Sequence, residues 1–342
     1  MVIFVPGTAP GDVVQIRITQ RKPRYLEGEI VEIVQASTVR RRPPCVVADR
    51  CGGCAWQHVE YPAQVQQKEK ILRDSLKKIE RMQPIQWGEF IAAREEFHYR
   101  NRIQLQIRGG KFGFFAKRTR DLIPITRCWI AEEKINHRLN LLTPEELTGT
   151  KLEIAVRTDG ETVLMAEQRD PEEALFSQVN SAQNENLIRA MESAITIQPD
   201  WIMDLYCGEG NLTRPLARKF PGVKVLGVEL SRTSIERAPR LAEINFQAGD
   251  VAQVLRSIPT QPGSGLIVLD PPRSGCDQSV LDEICRHKPR QIVYVSCNPT
   301  TFARDAERLI SGGIFRVESV QGLDMFPQTE HVELISSLCA AT

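Results

Sequence analysis

The chain of 342 residues has no long hydrophobic run, and its apolar stretches, such as Leu266–Leu269, are only as long as a strand. A helix needs about 20 apolar residues to cross a bilayer, so we expect a protein that does not span a membrane. Met1–Gly7 also lacks the basic segment and the small-residue cleavage site of a secretory signal. These two absences predict a cytoplasmic protein.

An excess of either charge is absent as well. Lysine and arginine number 44, aspartate and glutamate 43, and the formal net charge is +1. The overall charge therefore neither requires nor excludes nucleic acid, which would have to bind at a local basic patch. Nine cysteines, an odd number, are present. In a reducing compartment we interpret them as ligands, nucleophiles or small core residues, and not as a disulfide framework.

Three regions differ in pattern. Apolar and polar residues alternate over Val2–Val34, which predicts strands of a partial small β-barrel. A helical face over Ala63–Ile79 and a hairpin at Gly109–Gly110 predict a central α+β domain. From Trp201 onward short strands alternate with helices, which predicts an α/β domain with a doubly wound, mostly parallel sheet. The strands predicted there are Trp201–Leu205, Val225–Val228, Leu266–Leu269, Ile292–Ser296, Phe315–Val320 and Val332–Ser336. The domains are then 1–38, 39–180 and 181–342.

Cys45, Cys51 and Cys54 fall within ten residues of one another. Glycines between Cys51 and Cys54 leave the backbone free to turn both thiolates toward one centre, as iron–sulfur clusters and soft metals require. A fourth ligand is needed, and Cys128 is the best candidate. Zinc is the main rival but commonly uses two CxxC pairs, so the spacing favours an iron–sulfur cluster. The alternatives are a redox CxxC pair, which would leave Cys45 unexplained, and buried structural thiols.

A glycine turn, Asp204–Asn211, follows an apolar strand and leads into a helix. Position 213 is threonine, so the third glycine of a dinucleotide-binding fingerprint is missing. Glu229, Asp250 and Asp270 each follow an apolar stretch, and strand ends of such a sheet converge on one crevice. An acidic rim suits S-adenosylmethionine, a cationic adenosine, better than NAD. Any one of these acids could instead be a helix cap.

Cys297 follows a strand that ends on the same rim, where a thiolate could attack an electron-poor carbon. Asp270 precedes a proline, which favours an extended backbone and presents its carboxylate. The loop Phe326–Glu333 supplies acids, Glu330 and Glu333, that could act as a base. The alternative for Cys297 is a core cysteine.

Together these motifs resemble the S-adenosylmethionine-dependent RNA 5-methyluridine methyltransferases, specifically the branch that has a 4Fe–4S cluster and modifies 23S ribosomal RNA. The resemblance runs from about Pro6 to the C-terminus. The motifs that carry it are the four cysteines Cys45, Cys51, Cys54 and Cys128, and the segments Phe176–Asn180, Asp204–Gly208, Asp270–Gly275, Ser296–Pro299 and His331–Glu333.

The resemblance implies a Rossmann-like class I methyltransferase domain, a central iron–sulfur domain and a partial TRAM-like barrel. It further implies a Cys297 nucleophile that adds to uracil C6, and Glu333 rather than Glu330 as the base. The four cysteines would bind the cluster. The residues implied to line the S-adenosylmethionine pocket are Gln178, Tyr206, Asn211, Glu229, Asp250 and Asp270.

Arg94–Arg127 contains nine basic and three acidic residues, and with Arg40–Arg42 it predicts an RNA-binding surface in which aromatic residues could stack on bases. A solvated charged sheet with core aromatics is the alternative. We expect a monomer that acts on 23S ribosomal RNA. The same reaction on transfer RNA is the nearest rival, and a non-catalytic iron–sulfur RNA-binding protein is a rival of a different class.

Overall fold

The computed structural model describes residues 1–156, 160–166 and 178–341. The strands among them are β1 (Val2–Phe4), β2 (Val13–Arg21), β3 (Tyr25–Gln35), β4 (Gln86–Trp87), β5 (Arg102–Arg108), β6 (Lys111–Phe115), β7 (Leu122–Pro124), β8 (Lys151–Val156), β9 (Thr162–Ala166), β10 (Trp201–Leu205), β11 (Val225–Glu229), β12 (Ile244–Ala248), β13 (Gly265–Leu269), β14 (Gln291–Ser296), β15 (Phe315–Leu323) and β16 (Glu333–Ala340). The α-helices are α1 (Tyr61–Met82), α2 (Glu133–Leu139), α3 (Ser181–Ala194), α4 (Thr213–Lys219), α5 (Arg232–Arg237), α6 (Val251–Ser257), α7 (Gln278–His287) and α8 (Pro299–Ser311).

Contacts within the chain divide it into two units that do not follow the order of the sequence. The first unit comprises Met1–Gln67, Arg94–Gln168 and Phe326–Glu330. The second comprises Lys68–Ala93, Arg169–Met325 and His331–Thr342. The three sequence domains predicted above remain a prediction. Within the part of the chain described, no helix combines the length and the apolar character that a membrane span requires.

The first unit contains two sheets. Strands β1, β3 and β2 form a three-stranded sheet in that order, in the region where strands of a partial barrel were predicted. Strands β7, β6, β5, β8 and β9 form an antiparallel sheet. The predicted hairpin is confirmed, because β5 pairs with β6 across Gly109 and Gly110, which both have positive φ. Only glycine adopts that conformation readily.

The core of the five-stranded sheet follows from alternation along β5. Ile103, Leu105 and Ile107 are buried on one face, and the residues between them are more exposed. Ile135 and Leu139 of α2 pack against that face. The central region is therefore α+β, as the sequence predicts.

The second unit is built on an eight-stranded sheet with the order β12-β11-β10-β13-β14-β16-β15-β4. The first five of these strands are parallel, and β16 runs antiparallel to both β14 and β15. All six strands predicted for this region are present. The carboxyl ends of β10, β11, β13 and β14 therefore lie along one edge of the sheet, where ligands bind in open α/β sheets.

A buried ion pair joins α1 to the residue that follows β15. Lys68 of α1 donates to Asp324 at 2.6 Å, and both side chains are fully buried. The backbone carbonyl of Asp324 also accepts from the Gln183 side chain at 2.8 Å. A charge buried this deeply depends on its partner, because neither group can recover its hydration.

Replacing Lys68 with methionine is expected to lower the free energy of unfolding by about 3–5 kcal/mol, because the Asp324 carboxylate loses the ammonium that neutralises it. Lys70→Met is the matched control on the same helix. Lys70 pairs with Asp74 at 2.6 Å, but both side chains are exposed, so the loss should be far smaller than that of the Lys68 variant. Urea unfolding measures both. Equal midpoints for the two variants would contradict the prediction.

Candidate active site

Cys297 and Glu333 come together through the antiparallel pairing of β14 and β16. Ser296, the last residue of β14, pairs with Leu334. Cys297 follows Ser296 and Glu333 precedes Leu334, so the two residues stand at the same end of the strand pair. Cys297 is half-buried and Glu333 is buried. Glu330, the other acid in the preceding loop, is exposed and belongs to the first unit.

Burial and neighbouring charges shift the pKa values of the ionisable groups at this end of the sheet. Burial raises the pKa of the Cys297 thiol, and the Glu333 carboxyl raises it further, whereas Arg273 lowers it. Burial also raises the pKa of Glu333 well above its usual value, with Asp270 raising it and Arg273 lowering it. Asp270 itself has a pKa raised by burial. Burial therefore favours the protonated forms of the thiol and of both neighbouring carboxyls.

The turn after β10 has the geometry that its glycines predict. Tyr206, Gly208 and Gly210 all have positive φ, at 66°, 54° and 85°. Glu229, at the end of β11, secures the turn by accepting the Gly208 N–H at 3.1 Å, and it also accepts the Ser231 N–H at 2.9 Å. The predicted acid therefore holds the glycine turn in place beside the strand ends.

Asp204 is a buried acid in this site that the sequence reasoning did not single out. It lies within β10, and its Oδ2 accepts the Thr213 hydroxyl at 2.5 Å. Its Oδ1 is buried without a hydrogen-bond partner among the described residues. Burial raises its pKa to about 7, and the charges of Asp270 and Glu229 raise it as well. Thr213, which stands where a dinucleotide-binding fingerprint has its third glycine, thus hydrogen-bonds a buried acid. This threonine was the one sequence signal that pointed to Asp204.

The other proposed pocket residues have varied surroundings. The Asn211 side chain exchanges two hydrogen bonds of 2.9 Å with Asn184 of α3. Asp250 caps α6 by accepting the Gln253 N–H, so the helix-cap alternative describes one of its contacts. Gln178 is half-buried in the second unit. Phe176 and Ser177 of the same motif lie outside the described residues.

A series of side-chain hydrogen bonds connects Tyr206 to a buried carboxylate. Its side chain bonds the buried Cys276 thiol, which lies 3.6 Å from the Tyr294 hydroxyl. Tyr294 donates to Asp305 at 2.8 Å, and Asp305 also accepts the Cys276 N–H at 2.7 Å. Tyr294 lies three residues before Cys297 on β14. One buried carboxylate therefore orders both the glycine turn and the strand that leads to Cys297.

The four predicted cluster ligands meet in the first unit. Cys45, Cys51, Cys54 and Cys128 all line one cavity of about 240 Å³. Burial raises the pKa of Cys54 to about 12 and that of Cys128 to about 11, and the neighbouring cysteines raise both further. All four are free thiols. No group of three or more His, Cys, Asp or Glu side chains in the described ranges is spaced to hold a metal ion.

The predicted RNA surface is only partly exposed. Arg94, Arg108, Lys111, Arg118, Arg120 and Arg127 are exposed. Arg40, by contrast, pairs with Asp12 at 2.6 Å, and Arg41 forms a bidentate pair with Glu96. These two arginines form internal ion pairs, which corrects their assignment to a phosphate-binding surface. Tyr99 is buried as well, so the core alternative is right for that aromatic residue.

Comparison with known proteins adds two family matches. The family model described as tRNA (Uracil-5-)-methyltransferase matches residues 160–257 and 263–339, and a TRAM domain model matches residues 1–31. The chain is 35% identical to an uncharacterized RNA methyltransferase of Bdellovibrio bacteriovorus, over 99% of this chain and 89% of the relative. It is also 31% identical to an uncharacterized RNA methyltransferase of Thermosynechococcus vestitus, over 98% of this chain and 93% of that relative.

Among solved structures, the tRNA (uracil-54, C5)-methyltransferase of Pyrococcus abyssi in complex with S-adenosyl-L-homocysteine is similar, with a TM-score of 0.73 and 24% identity. The similarity covers 98% of this chain and 95% of that one, and it supports the fold. The family matches disfavour a non-catalytic protein. The chain therefore belongs to the tRNA (uracil-5-)-methyltransferase family, has a TRAM domain at its N-terminus, and is an RNA (uracil-C5)-methyltransferase.

Proposed function

We propose that the protein transfers a methyl group from S-adenosylmethionine to C5 of a uridine in 23S ribosomal RNA, through a covalent bond between Cys297 and C6. The observation that carries the proposal is the pairing of β14 with β16, whose shared end has a half-buried thiol next to a buried carboxyl. A nucleophile and a base at the end of a cofactor-binding sheet suit addition to a pyrimidine.

The residues around the glycine turn fit S-adenosylmethionine. Each oxygen of Glu229 accepts one backbone N–H and keeps a lone pair for a further donor, such as a ribose hydroxyl. The charges of Asp270 and Glu229 both raise the pKa of Asp204, and such a group of carboxyls favours a cation. The residues proposed to line the pocket are Gln178, Tyr206, Asn211, Glu229, Asp250 and Asp270.

The reaction begins at Cys297, because C5 of uracil is too weak a nucleophile to take a methyl group unaided. The Cys297 thiolate adds to C6 and turns the ring into an enolate with negative charge on C5. The bound cofactor supplies an electrophilic methyl group at this stage. Glu333 then removes the C5 proton, the C5–C6 double bond re-forms, and Cys297 leaves as a thiolate. The uridine must be unstacked for both faces of its ring to be reached.

We also propose that Cys45, Cys51, Cys54 and Cys128 bind a 4Fe–4S cluster. A cluster is larger than a single ion, so it requires thiolates around a cavity, and these four cysteines line one. Gln57, which lines the same cavity, hydrogen-bonds the Cys54 sulfur. Such a bond would stabilise the thiolate form that ligation needs. The cluster would order this part of the chain, since the methylation chemistry contains no redox step.

The exposed arginines and lysine of Arg94–Arg127 are proposed to bind RNA phosphates. Six of the nine basic side chains in this segment are exposed. Arg108 also lies over the Phe115 ring, at 5.7 Å from its centroid. A guanidinium supported by an aromatic ring is held in place for phosphate or base contacts.

Transfer RNA is the second candidate substrate, because the matching family model and the Pyrococcus abyssi enzyme are both named for tRNA. Purified protein should be incubated with methyl-labelled S-adenosylmethionine and either 23S ribosomal RNA or total transfer RNA. We expect 5-methyluridine in the ribosomal RNA, located by nuclease mapping and mass spectrometry. Label in transfer RNA alone would establish the second candidate. Label in neither RNA, with both shown to lack the modification beforehand, would overturn both candidates.

A further inference from the structure

The segment Phe326–Glu330 ends three residues before Glu333, the proposed base. This segment lies between β15 and β16 in the sequence, but its contacts within the chain group it with the first unit. The Tyr99 hydroxyl donates to the carbonyl of Pro327 at 3.0 Å. Gln328 and its neighbour Pro327 are buried. This segment is therefore held by residues distant in sequence from the base that follows it.

Gln328 is the centre of these contacts, and its side chain is completely engaged. Its Oε1 accepts from Gln64 at 2.9 Å and from Arg41 at 3.0 Å. Its Nε2 donates to the Glu96 carboxylate at 3.0 Å, and its backbone N–H donates to Gln64 Oε1 at 3.0 Å. Gln328 also has φ of 70°, a conformation that glutamine adopts only when its surroundings impose it.

The same residue is tied to the cysteine region. The carbonyl of Gln328 accepts the N–H groups of Ala55 and Trp56, both at 3.0 Å. These residues directly follow Cys54. Arg41, which donates to Gln328, also donates to the carbonyl of Gln57 at 3.1 Å. Two separate sets of hydrogen bonds therefore join Gln328 to the backbone just after the paired cysteines.

We propose that Gln328 is a positioning residue that ties the segment leading into Glu333 to the backbone after Cys54, and so sets the placement of the catalytic carboxyl. The inference rests on the proposed function, in which Glu333 removes the C5 proton in the last step. A small displacement of a base can cost about a hundredfold in rate. Addition of Cys297 and methyl transfer do not use Glu333 as a base, so the last step should depend on Gln328 far more than the two earlier steps.

The test separates these steps in single-turnover reactions on substrate RNA made with uridine tritiated at C5. Methyl transfer is followed with labelled S-adenosylmethionine, and proton abstraction by the release of tritium. The variants are Gln328→Gly, which removes the side chain but permits the positive φ, and Gln64→Leu. We expect methyl transfer within about threefold of wild type and tritium release slowed roughly ten- to a hundredfold, with methylated protein–RNA adduct accumulating.

Gln291→Leu is the matched control. Gln291 is an equally buried glutamine with hydrogen bonds to Ala194 and Ser337, and it lies at the opposite end of β14 from Cys297. Its variant should keep the wild-type ratio of the two rates even if it is less stable. Amide hydrogen exchange over residues 326–333 should accelerate in the Gln328 and Gln64 variants only.

A wild-type ratio of the two rates in the Gln328→Gly protein, whether both rates are slowed equally or neither is slowed, would overturn the inference. In both cases the wild-type protein would still form its adduct, and the proposed function would stand. If the wild-type protein released no tritium and formed no adduct on RNA that it methylates, the proposed function would fall together with this inference.

Discussion

Cys297→Ser is expected to slow uridine methylation by about four orders of magnitude, the scale of loss when a covalent nucleophile is removed. A serine hydroxyl ionises far less readily than a thiol, so it adds poorly to C6. The variant should also form no covalent adduct with RNA that contains 5-fluorouridine, because the wild-type adduct is trapped when C5 has no proton to lose. Gel electrophoresis under denaturing conditions measures the adduct.

Cys285→Ser is the matched control for this experiment. Cys285 is a half-buried thiol of α7, and burial raises its pKa as it does that of Cys297. It lies outside the strand end, so its variant should methylate RNA and form adduct like the wild-type protein. Methylation by Cys297→Ser within tenfold of the wild-type rate would refute covalent catalysis.

Glu333→Gln is expected to leave methyl transfer largely intact and to slow release of the product by about 10²–10⁴-fold, the usual contribution of a general base. The amide cannot take up the C5 proton, so the methylated ring stays bonded to Cys297. Methyl-labelled adduct should therefore accumulate in the variant without 5-fluorouridine. Glu330→Gln is the control, and it should show wild-type release because Glu330 is exposed.

The wild-type protein and the Glu333→Gln variant also differ in their expected response to pH. Glu333 has a raised pKa, so its basic form and the rate of tritium release should increase as pH rises through that pKa. Glu333→Gln should lack this dependence. The Glu333 charge also raises the pKa of Cys297, so adduct formation in the variant should begin at lower pH. Release that falls with rising pH in the wild-type protein would contradict the assignment.

Strands made mostly of apolar side chains were predictable. Strand β10 was predicted over the same residues that form it, because all of Trp201–Leu205 except Asp204 is apolar. Strand β16 was predicted too short, since Ser336 and Ser337 interrupt its apolar pattern. Both serines are buried and hydrogen-bonded, Ser336 to the Ser319 carbonyl and Ser337 to Gln291. Partners from elsewhere in the chain make these polar residues acceptable inside the sheet.

Strand β12 was missed for a different reason. It lies at the edge of the sheet, and its residues are half-buried or exposed. An edge strand packs few side chains, so its apolar signal is weak. Asp250, which follows it, was nevertheless identified, because an acid after an apolar stretch is a local pattern. Asp204 was not singled out, since its burial and its bond to Thr213 depend on packing.

The arginines near the cysteines illustrate the limit of a charge count. Arg40 and Arg41 contribute to a basic cluster in the sequence, but Asp12 and Glu96 lie beside them in the structure. Those acids are distant along the chain. A count of local charges therefore overestimated the surface open to RNA.

The order of amino acids alone determined the types of element, the four cysteines, the glycine turn and the residues able to act as nucleophile and base. These follow from local properties such as periodicity, turn chemistry and side-chain reactivity. Only the tertiary structure shows that Cys297 and Glu333 stand at the same end of a strand pair, and that Gln328 is bonded to the backbone after Cys54. Strand register and burial decide such matters, and both arise from contacts between residues far apart in the chain.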